Sequence, residues 1–413
     1  MKPVSVAALA ITLAAAGPAF GHDTDMTAWR LFVSDHSAAK VTAIDALKGR
    51  RLATFDLKGP ASLYRSESGE TVFAVQGSAG VISAIGSGIM FRDHGDHGDI
   101  EIEPAKLLTF ALSGTKPAHF VERQGKVAQW FDGEDSVRLL SEDDVLAGKS
   151  EIRTVNVGKP HHGVAVPFDN HAVVTIPNPD DPSKRPIGAR IVGHDGRQIG
   201  GDVACPGLHG SAGSGSLYAL ACETGLLLVS QSGTTPEIKH LPYGASLPKG
   251  SSSTLIGGKG LQYFIGNFGP DRILIVDPSE TDGFRLVQLP TRRVHFAVDP
   301  IRSRFAYVVT EDGQLHQIDV LEGAIAKSVK LTEPYSMDGH WSDPRPRVAV
   351  AGDRIFVSDP LKSRLLIVDA ATFARAGEVK VEGKPFNLVA VGGSGKVHGK
   401  EEHVNGHKHK DKH

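Results

Sequence analysis

The sequence predicts an all-β fold, a single β-propeller with eight blades, seven being the alternative count. Short runs of β-branched and aromatic residues, such as Thr71–Val75 and Arg354–Ser358, recur between turns rich in Gly, Asp and Ser. The chain has 47 Gly and 24 Pro in 413 residues and little helical periodicity, which favours strands and turns. Segments that carry histidine recur at intervals of roughly 45 residues, or twice that, the length of a four-stranded blade.

The innermost strand of each blade is expected to follow a turn. The eight predicted strands begin near Ser62, His119, His162, His209, Ser253, His295, Arg345 and Phe386. The last one lacks outer partners, whereas the N-terminal region offers three strands without an inner one: Trp29–Ser34, Lys40–Asp45 and Leu52–Leu57. Pairing them closes the ring and leaves no free sheet edge, so residues 29–395 are predicted to form one propeller.

The first residues are typical of a cleaved export signal. Lys2 precedes an uncharged apolar stretch from Val4 to Ala16, and small residues follow before His22. This stretch is short for a bilayer span, and no later segment offers about 18 to 20 apolar residues in a row. We therefore expect residues 1–21 to be a signal peptide and the mature protein to be a periplasmic monomer.

Charge and cysteine content argue against several functions. A formal net charge of −2, with no basic cluster outside the C-terminal tail, gives no sign of nucleic-acid binding. Cys205 and Cys222 belong to no Cys-x-x-Cys motif, which disfavours thiol exchange and covalent haem. Two nearby cysteines in an oxidising compartment usually pair, so a disulfide is predicted, with free buried thiols as the alternative.

Histidine recurs near the start of the predicted innermost strands. The residues concerned are His119, His161 or His162, His209, His295 and His340. Innermost strands converge on the propeller axis, where imidazoles can meet, and imidazole is a favoured zinc ligand. We predict a zinc site from His119, His161 or His162, and His209, which lie in three consecutive blades. A hydrogen-bonded turn residue is the alternative role for each. Binding needs neutral imidazole, so acidification toward a pKa of about 6.5 is expected to weaken it.

A second candidate site lies in the segment Met90–Glu101, between the predicted third and fourth strands of a blade. A propeller needs only a short turn there, so the extra length has no packing reason. His94, His97 and Asp99 offer nitrogen and oxygen ligands, and the glycines between them let the backbone fold around an ion. A solvated polar loop is the alternative, and the spacing of a calcium-binding loop is absent.

Both ends of the mature chain also carry possible metal ligands. His22–Asp25 begins a predicted N-terminal extension, residues 22–28, whose free amine lies beside imidazole and carboxylate groups. Residues 396–413 form a predicted flexible tail rich in His and Lys, a composition associated with metal capture. An expression tag is the alternative explanation of this tail.

Four features of the chain together resemble the periplasmic zinc metallochaperones of the AztD type. They are the export signal, the propeller pattern, the His/Asp loop Asp93–Asp99 and the segment Lys159–Ala165. The resemblance covers the whole mature chain. It implies a propeller that binds Zn²⁺ and passes it to the solute-binding protein of a zinc ABC importer.

Enzymatic functions have less support. The sequence has no phosphate-binding Gly-x-x-x-x-Gly-Lys, no His-Glu-x-x-His and no Gly-x-Ser-x-Gly motif. Its three Trp are too few for the repeated docking motifs of quinoprotein dehydrogenases. A metal-dependent hydrolase with Glu122 as general base is the main alternative, because three histidines and an open position also make a catalytic zinc site. A third alternative is a protein-interaction propeller that binds no metal.

Overall fold

Eight antiparallel sheets follow one another along the chain in the computed structural model, which describes residues 24–93, 98–149 and 151–397. Each sheet is one blade, and blades 3 to 8 contain four consecutive strands from the innermost outward. Five of the innermost strands contribute residues to the lining of a cavity of about 400 Å³, among them Arg65, Ile256, His295, Val348 and Leu388. The innermost strands therefore surround a central opening. The predicted count of eight blades is confirmed.

Blades 1 and 2 contain the only departures from this order among the described residues. Blade 1 comprises β1 (Thr24–Asp35), β2 (Lys40–Asp45), β3 (Arg50–Asp56) and β34 (Pro385–Val397). Blade 2 comprises β4 (Ser62–Arg65), β5 (Thr71–Gln76), β6 (Val81–Gly86) and β9 (Lys106–Ser113). The strands β7 (Ile89–Asp93) and β8 (Gly98–Ile102) are inserted between β6 and β9. A short 3₁₀ turn spans Gly77–Ala79.

Blades 3 to 5 follow without interruption. Blade 3 comprises β10 (Pro117–Arg123), β11 (Lys126–Phe131), β12 (Ser136–Ser141) and β13 (Arg153–Asn156), with a short helix α1 (Glu142–Leu146) after β12. Blade 4 comprises β14 (Ala165–Pro167), β15 (His171–Ile176), β16 (Gly188–Gly193) and β17 (Gln198–Ala204). Blade 5 comprises β18 (Ser211–Ser214), β19 (Leu217–Ala221), β20 (Gly225–Ser230) and β21 (Glu237–Pro242).

Blades 6 to 8 complete the ring. Blade 6 comprises β22 (Leu255–Ile256), β23 (Phe264–Asn267), β24 (Arg272–Val276) and β25 (Phe284–Gln288). Blade 7 comprises β26 (Arg293–Val298), β27 (Phe305–Thr310), β28 (Gln314–Asp319) and β29 (Ala324–Lys330). Blade 8 comprises β30 (Val348–Ala351), β31 (Arg354–Asp359), β32 (Arg364–Asp369) and β33 (Arg375–Lys380), with a 3₁₀ turn at Pro360–Lys362.

The two ends of the chain close the ring, as predicted. The innermost strand of blade 1, β34, pairs with β1 in a register that runs from Thr24 opposite Val397 to Leu31 opposite Ala390 and beyond. Both strands extend past the predicted propeller limits of 29 and 395, and β1 includes part of the predicted extension 22–28. Residues 1–23 and 398–413, which include the predicted signal peptide and most of the tail, lie outside the described residues.

Burial explains the composition of the strands. The second strand of a blade is covered on both faces by its neighbours, and all six residues of β5 are buried. The outermost strand has only one covered face, and no residue of β29 is fully buried. Asp319 ends β28, and its carboxylate accepts the N–H groups of Leu321 and Glu322, which starts the turn to β29. The apolar runs therefore form a core between each pair of adjacent blades.

The insertion in blade 2 differs from the loop that the sequence predicts. β7 pairs with β8, and β8 extends the sheet of blade 1 because Asp99 lies in parallel register with Lys396 of β34. Ile89 and Ile100 are buried in the core between blades 1 and 2. The expectation that this extra length has no packing reason was wrong, because its stem contributes to that core. His94 and His97 lie outside the described residues.

The predicted disulfide between Cys205 and Cys222 is present. Cys205 follows β17, the outermost strand of blade 4, and Cys222 follows β19, the second strand of blade 5. Both are buried in the core between these blades. No described helix is long and apolar enough to cross a membrane.

Replacing both cysteines by alanine should lower the free energy of unfolding. The bond joins residues 17 positions apart, and closing a loop of this length is worth about 3 kcal/mol, mainly through the unfolded chain. Urea unfolding of the wild type and of C205A/C222A measures the difference. Equal midpoints for the two proteins, at equal denaturant dependence, would contradict a stabilising role.

Candidate metal centre

Three of the predicted histidines meet at one end of the central opening. His119 is the third residue of β10, His162 lies in the loop before β14, and His209 lies two residues before β18. These are the beginnings of the innermost strands of blades 3, 4 and 5. Because consecutive blades place these positions side by side around the axis, residues about 45 positions apart in sequence become neighbours.

The nitrogen atoms of these residues have the spacing that a zinc ion needs. One ring nitrogen from each of His119, His162 and His209 lies within 4.8 Å of the others, and the three side chains are partly buried. Nε2 of His119 is 3.0 Å from Nε2 of His162. Tetrahedral zinc with bonds of about 2.0–2.1 Å places its ligand nitrogens about 3.3 Å apart. Small side-chain rotations therefore allow one ion to bind all three.

Two of the imidazoles are oriented by the protein. Nδ1 of His162 donates to Oδ2 of Asp132 at 2.7 Å, and Nδ1 of His209 donates to the carbonyl oxygen of Ser253 at 2.8 Å. A nitrogen that donates its proton to such a partner leaves the lone pair of Nε2 for a metal. Sequence reasoning missed both partners, since nothing in the Asp132 turn or near Ser253 marks them before the blades are assembled.

The surroundings keep two members of the triad, His119 and His209, neutral. Burial, with the nearby imidazoles of His162 and His209, lowers the pKa of His119 to about 3. Burial also lowers the pKa of His209, although the hydrogen bond to Ser253 opposes this effect. At neutral pH both rings are unprotonated and their lone pairs are available to a cation. Protons therefore compete for His119 at a lower pH than the unperturbed value of about 6.5 suggests.

Comparison with known proteins identifies the family of the chain. The chain is 65% identical over 394 residues to the protein named zinc chaperone AztD of Citrobacter koseri, covering 95% of this chain and 93% of that protein. The chain belongs to the AztD family. The crystal structure of Citrobacter koseri AztD matches it with a TM-score of 0.89 and 66% identity, over 90% of this chain and all of the other. The family resemblance predicted from the sequence is confirmed.

Two further solved structures are similar to this chain, one at high and one at low sequence identity. The structure of apo AztD from Citrobacter koseri matches with a TM-score of 0.88 and 65% identity, over 90% of this chain and all of that chain. Dihydro-heme d1 dehydrogenase NirN has a TM-score of 0.57 at 12% identity over 87% of this chain and 74% of its own, which shows a shared fold alone. No protein-family model matches the chain.

The two adjacent histidines of this AztD-family chain have different positions in the structure. His162 joins the triad, whereas His161 is buried against Trp130, with Nδ1 2.7 Å from the carbonyl oxygen of Lys159 and Nε2 3.0 Å from Oγ1 of Thr175. Trp130 Nε1 in turn donates to the carbonyl oxygen of His161. The structure therefore places His161 in the core beside the triad and not within it.

The other predicted ligands lie apart from the triad. Nδ1 of His295, in blade 7, accepts the N–H of Val348 at 3.1 Å, and His340 lies in an exposed loop with Nδ1 2.7 Å from Oγ of Ser342. Asp99 is buried in β8, in the sheet of blade 1. His94, His97 and His22 lie outside the described residues.

Glu122, the general base of the hydrolase alternative, does not belong to the cluster of ligand atoms. Its carboxylate oxygens accept the N–H groups of Glu67 at 2.6 Å and Gly125 at 2.7 Å, and burial raises its pKa to about 7. The cluster of metal-ligand atoms that the described residues form contains the three histidines and no carboxylate. A general base beside a metal-bound water is the feature that hydrolysis would need.

Replacing Asp132 by Asn should weaken zinc binding by about 10–100-fold, the usual cost of removing a group that orients a ligand. The neutral amide no longer favours the tautomer in which Nδ1 carries the proton. Competition titration with a zinc chelator measures the affinity. Asp135→Asn in the same turn is the matched control, and an equal loss in both variants would contradict the orienting role.

The stability of the metal-free protein should depend on pH through His119. Its folded pKa of about 3 lies below the unfolded value, so the unfolded chain binds this proton first as the pH falls. The difference in free energy of unfolding between the wild type and His119→Gln should therefore be largest above about pH 6.5. Below that pH it should fall by about 1 kcal/mol per pH unit. Urea unfolding from pH 7 to 4 tests this, and a difference that is constant over this range would contradict it.

Proposed function

We propose that this chain is a periplasmic zinc chaperone that holds Zn²⁺ on His119, His162 and His209 and passes it to the solute-binding protein of a zinc ABC importer. The observation that carries the proposal is the convergence of three imidazole nitrogens within 4.8 Å in a member of the AztD family. Residues 1–21 act as the export signal, and the protein works as a monomer.

The chemistry of the triad suits transfer better than storage. Three nitrogen ligands leave the fourth position of a tetrahedral zinc ion open, whereas structural zinc sites are closed by four protein ligands. The side chains are partly exposed, and His162 has 41% of its side-chain surface accessible. A ligand from an acceptor can therefore occupy the open position before any histidine leaves. Exchange of one ligand at a time avoids release of free Zn²⁺.

The histidine-bearing segments outside the described residues are proposed as a second zinc-binding region. It comprises His94 and His97 of the loop, with Asp99, and the two chain ends. The strands that lead into these segments are neighbours, because Thr24 pairs with Val397 and Lys396 lies opposite Asp99. Carboxylate and imidazole ligands on such segments favour capture of Zn²⁺ and its delivery to the triad.

Removal of one triad histidine should lower zinc affinity on the order of 100-fold, since the roughly 10–16 kcal/mol of a zinc site is shared among about four ligands. Competition titration of His209→Ala gives the loss, with exposed His340→Ala as the control. Zinc X-ray absorption should show nitrogen and oxygen ligands at about 2.0–2.1 Å and no sulfur shell. Unchanged affinity in His209→Ala, together with loss of tight binding in H94A/H97A, would move the high-affinity site to the loop.

Transfer to a metal-free zinc solute-binding protein should be faster than spontaneous dissociation. A shared-ligand complex forms first, so the rate should rise with acceptor concentration and then saturate. Stopped-flow measurement against a chelator control tests this, with H94A/H97A expected to slow transfer more than it lowers stability. A transfer rate equal to the dissociation rate at every acceptor concentration would instead indicate a passive zinc buffer.

A further inference from the structure

Two arginines occupy the opposite side of the same end of the central opening. Arg293 is the first residue of β26 in blade 7, and Arg347 immediately precedes β30 in blade 8. These positions correspond to those of the triad, at the beginnings of innermost strands, but lie about half a turn of the ring away. His295 joins the two blades because its Nδ1 accepts the N–H of Val348.

Neither guanidinium has an anionic partner among the described residues. The Nε atoms of Arg293 and Arg347 are buried and have no hydrogen-bond acceptor. Two arginines close to them in sequence, by contrast, do have oxygen partners. Arg292 pairs with Glu311 and Asp338, and Arg345 donates to the carbonyl oxygens of Ser336, Asp338 and His340. Arg293 and Arg347 therefore lack the oxygen partners that Arg292 and Arg345 have.

Aromatic rings hold the two guanidinium groups by their faces. Cζ of Arg347 lies 4.7 Å from the ring centre of Phe386, and Cζ of Arg293 lies 5.4 Å from that of Phe296. Stacking of this kind fixes the plane of a guanidinium but leaves its N–H donors, which lie in that plane, in need of acceptors. Two such planar donors suit an anion with several oxygens.

The electrostatics support an anion at this position. Burial, followed by the charges of Arg345 and Arg293, lowers the pKa of Arg347 to about 10, so the group remains protonated at neutral pH. Burial also lowers the pKa of Arg293. Two neighbouring, partly desolvated cations without a counter-charge are costly, and a bound anion would remove that cost.

We propose that Arg293 and Arg347 form a binding site for a small oxyanion, a carboxylate or a phosphate, at the mouth of the central opening. The site is distinct from the zinc triad and does not depend on the proposed function. It requires neither a metal nor the segments outside the described residues. The imidazoles on one side and the two guanidinium cations on the other make this end of the opening electrostatically asymmetric.

The test uses the metal-free, full-length mature protein. Thermal unfolding is followed while inorganic phosphate, or in a second series acetate, replaces sodium chloride at constant ionic strength. A ligand that binds only the folded state should raise the melting temperature in a saturable way, by about 1–3 °C at ten times its Kd. Phosphorus NMR line width gives an independent measure of phosphate binding. The series that saturates identifies the class of anion.

Arg347→Met and Arg293→Met keep the apolar stem and remove the charge. Each should abolish the saturable rise and the line broadening, and R347M in chloride should be at least as stable as the wild type because an unpaired buried cation is lost. Arg292→Gln is the matched control, since it removes one adjacent positive charge that is already paired, and it should retain the response.

Two results would overturn the proposal. One is the absence of a saturable response of the wild type to both anions. The other is an equal response in the wild type, R347M and R293M, which would mean that phosphate stabilises the protein through a general salt effect. Because no zinc is present, failure here would leave the triad and its proposed role untouched, and loss of zinc binding in triad variants would leave this site untouched.

Discussion

The pairing of β34 with β1 is the constraint on which the other features depend. An open row of eight blades would expose sheet edges and would not fix the curvature that brings innermost strands to one axis. Closure makes each innermost strand the neighbour of the next. His119 and His162, 43 residues apart in sequence, come within 3.0 Å because their blades are adjacent in a closed ring.

The triad lies at one end of the central opening, where its ligands can be both oriented by the protein and accessible to another molecule. A closed zinc site offers orientation without such access. The core between the blades desolvates and neutralises His119, while Asp132 and Ser253 orient the rings of His162 and His209 before an ion arrives. The mouth leaves the imidazoles partly accessible, so another molecule can reach a bound ion. Orientation favours affinity, and access favours exchange.

The same end of the central opening also has imidazoles on one side and guanidinium cations on the other. Burial keeps the imidazoles of His119 and His209 neutral, and neutral nitrogen donors attract a divalent cation. The charges of Arg293 and Arg347 repel one and attract anions. An eight-blade ring is wide enough to place these groups about half a turn apart, so each half of the mouth can keep its own chemistry. Arg292 and Arg345 are paired with nearby oxygens, whereas Nε of Arg293 and Nε of Arg347 have no acceptor.

The sequence by itself predicted eight blades in preference to seven, the closure by N-terminal strands, the disulfide, and His119 and His209 of the three histidines that meet. These depend on strand patterning, turn chemistry and a regular spacing, which are local properties repeated along the chain. Only the tertiary structure decided that His162 and not His161 reaches the axis. Adjacent residues point in different directions, and the burial of His161 beside Trp130 depends on how two blades pack. The same is true of Asp132, Ser253 and the unpaired arginines, whose roles arise from contacts between residues far apart in sequence.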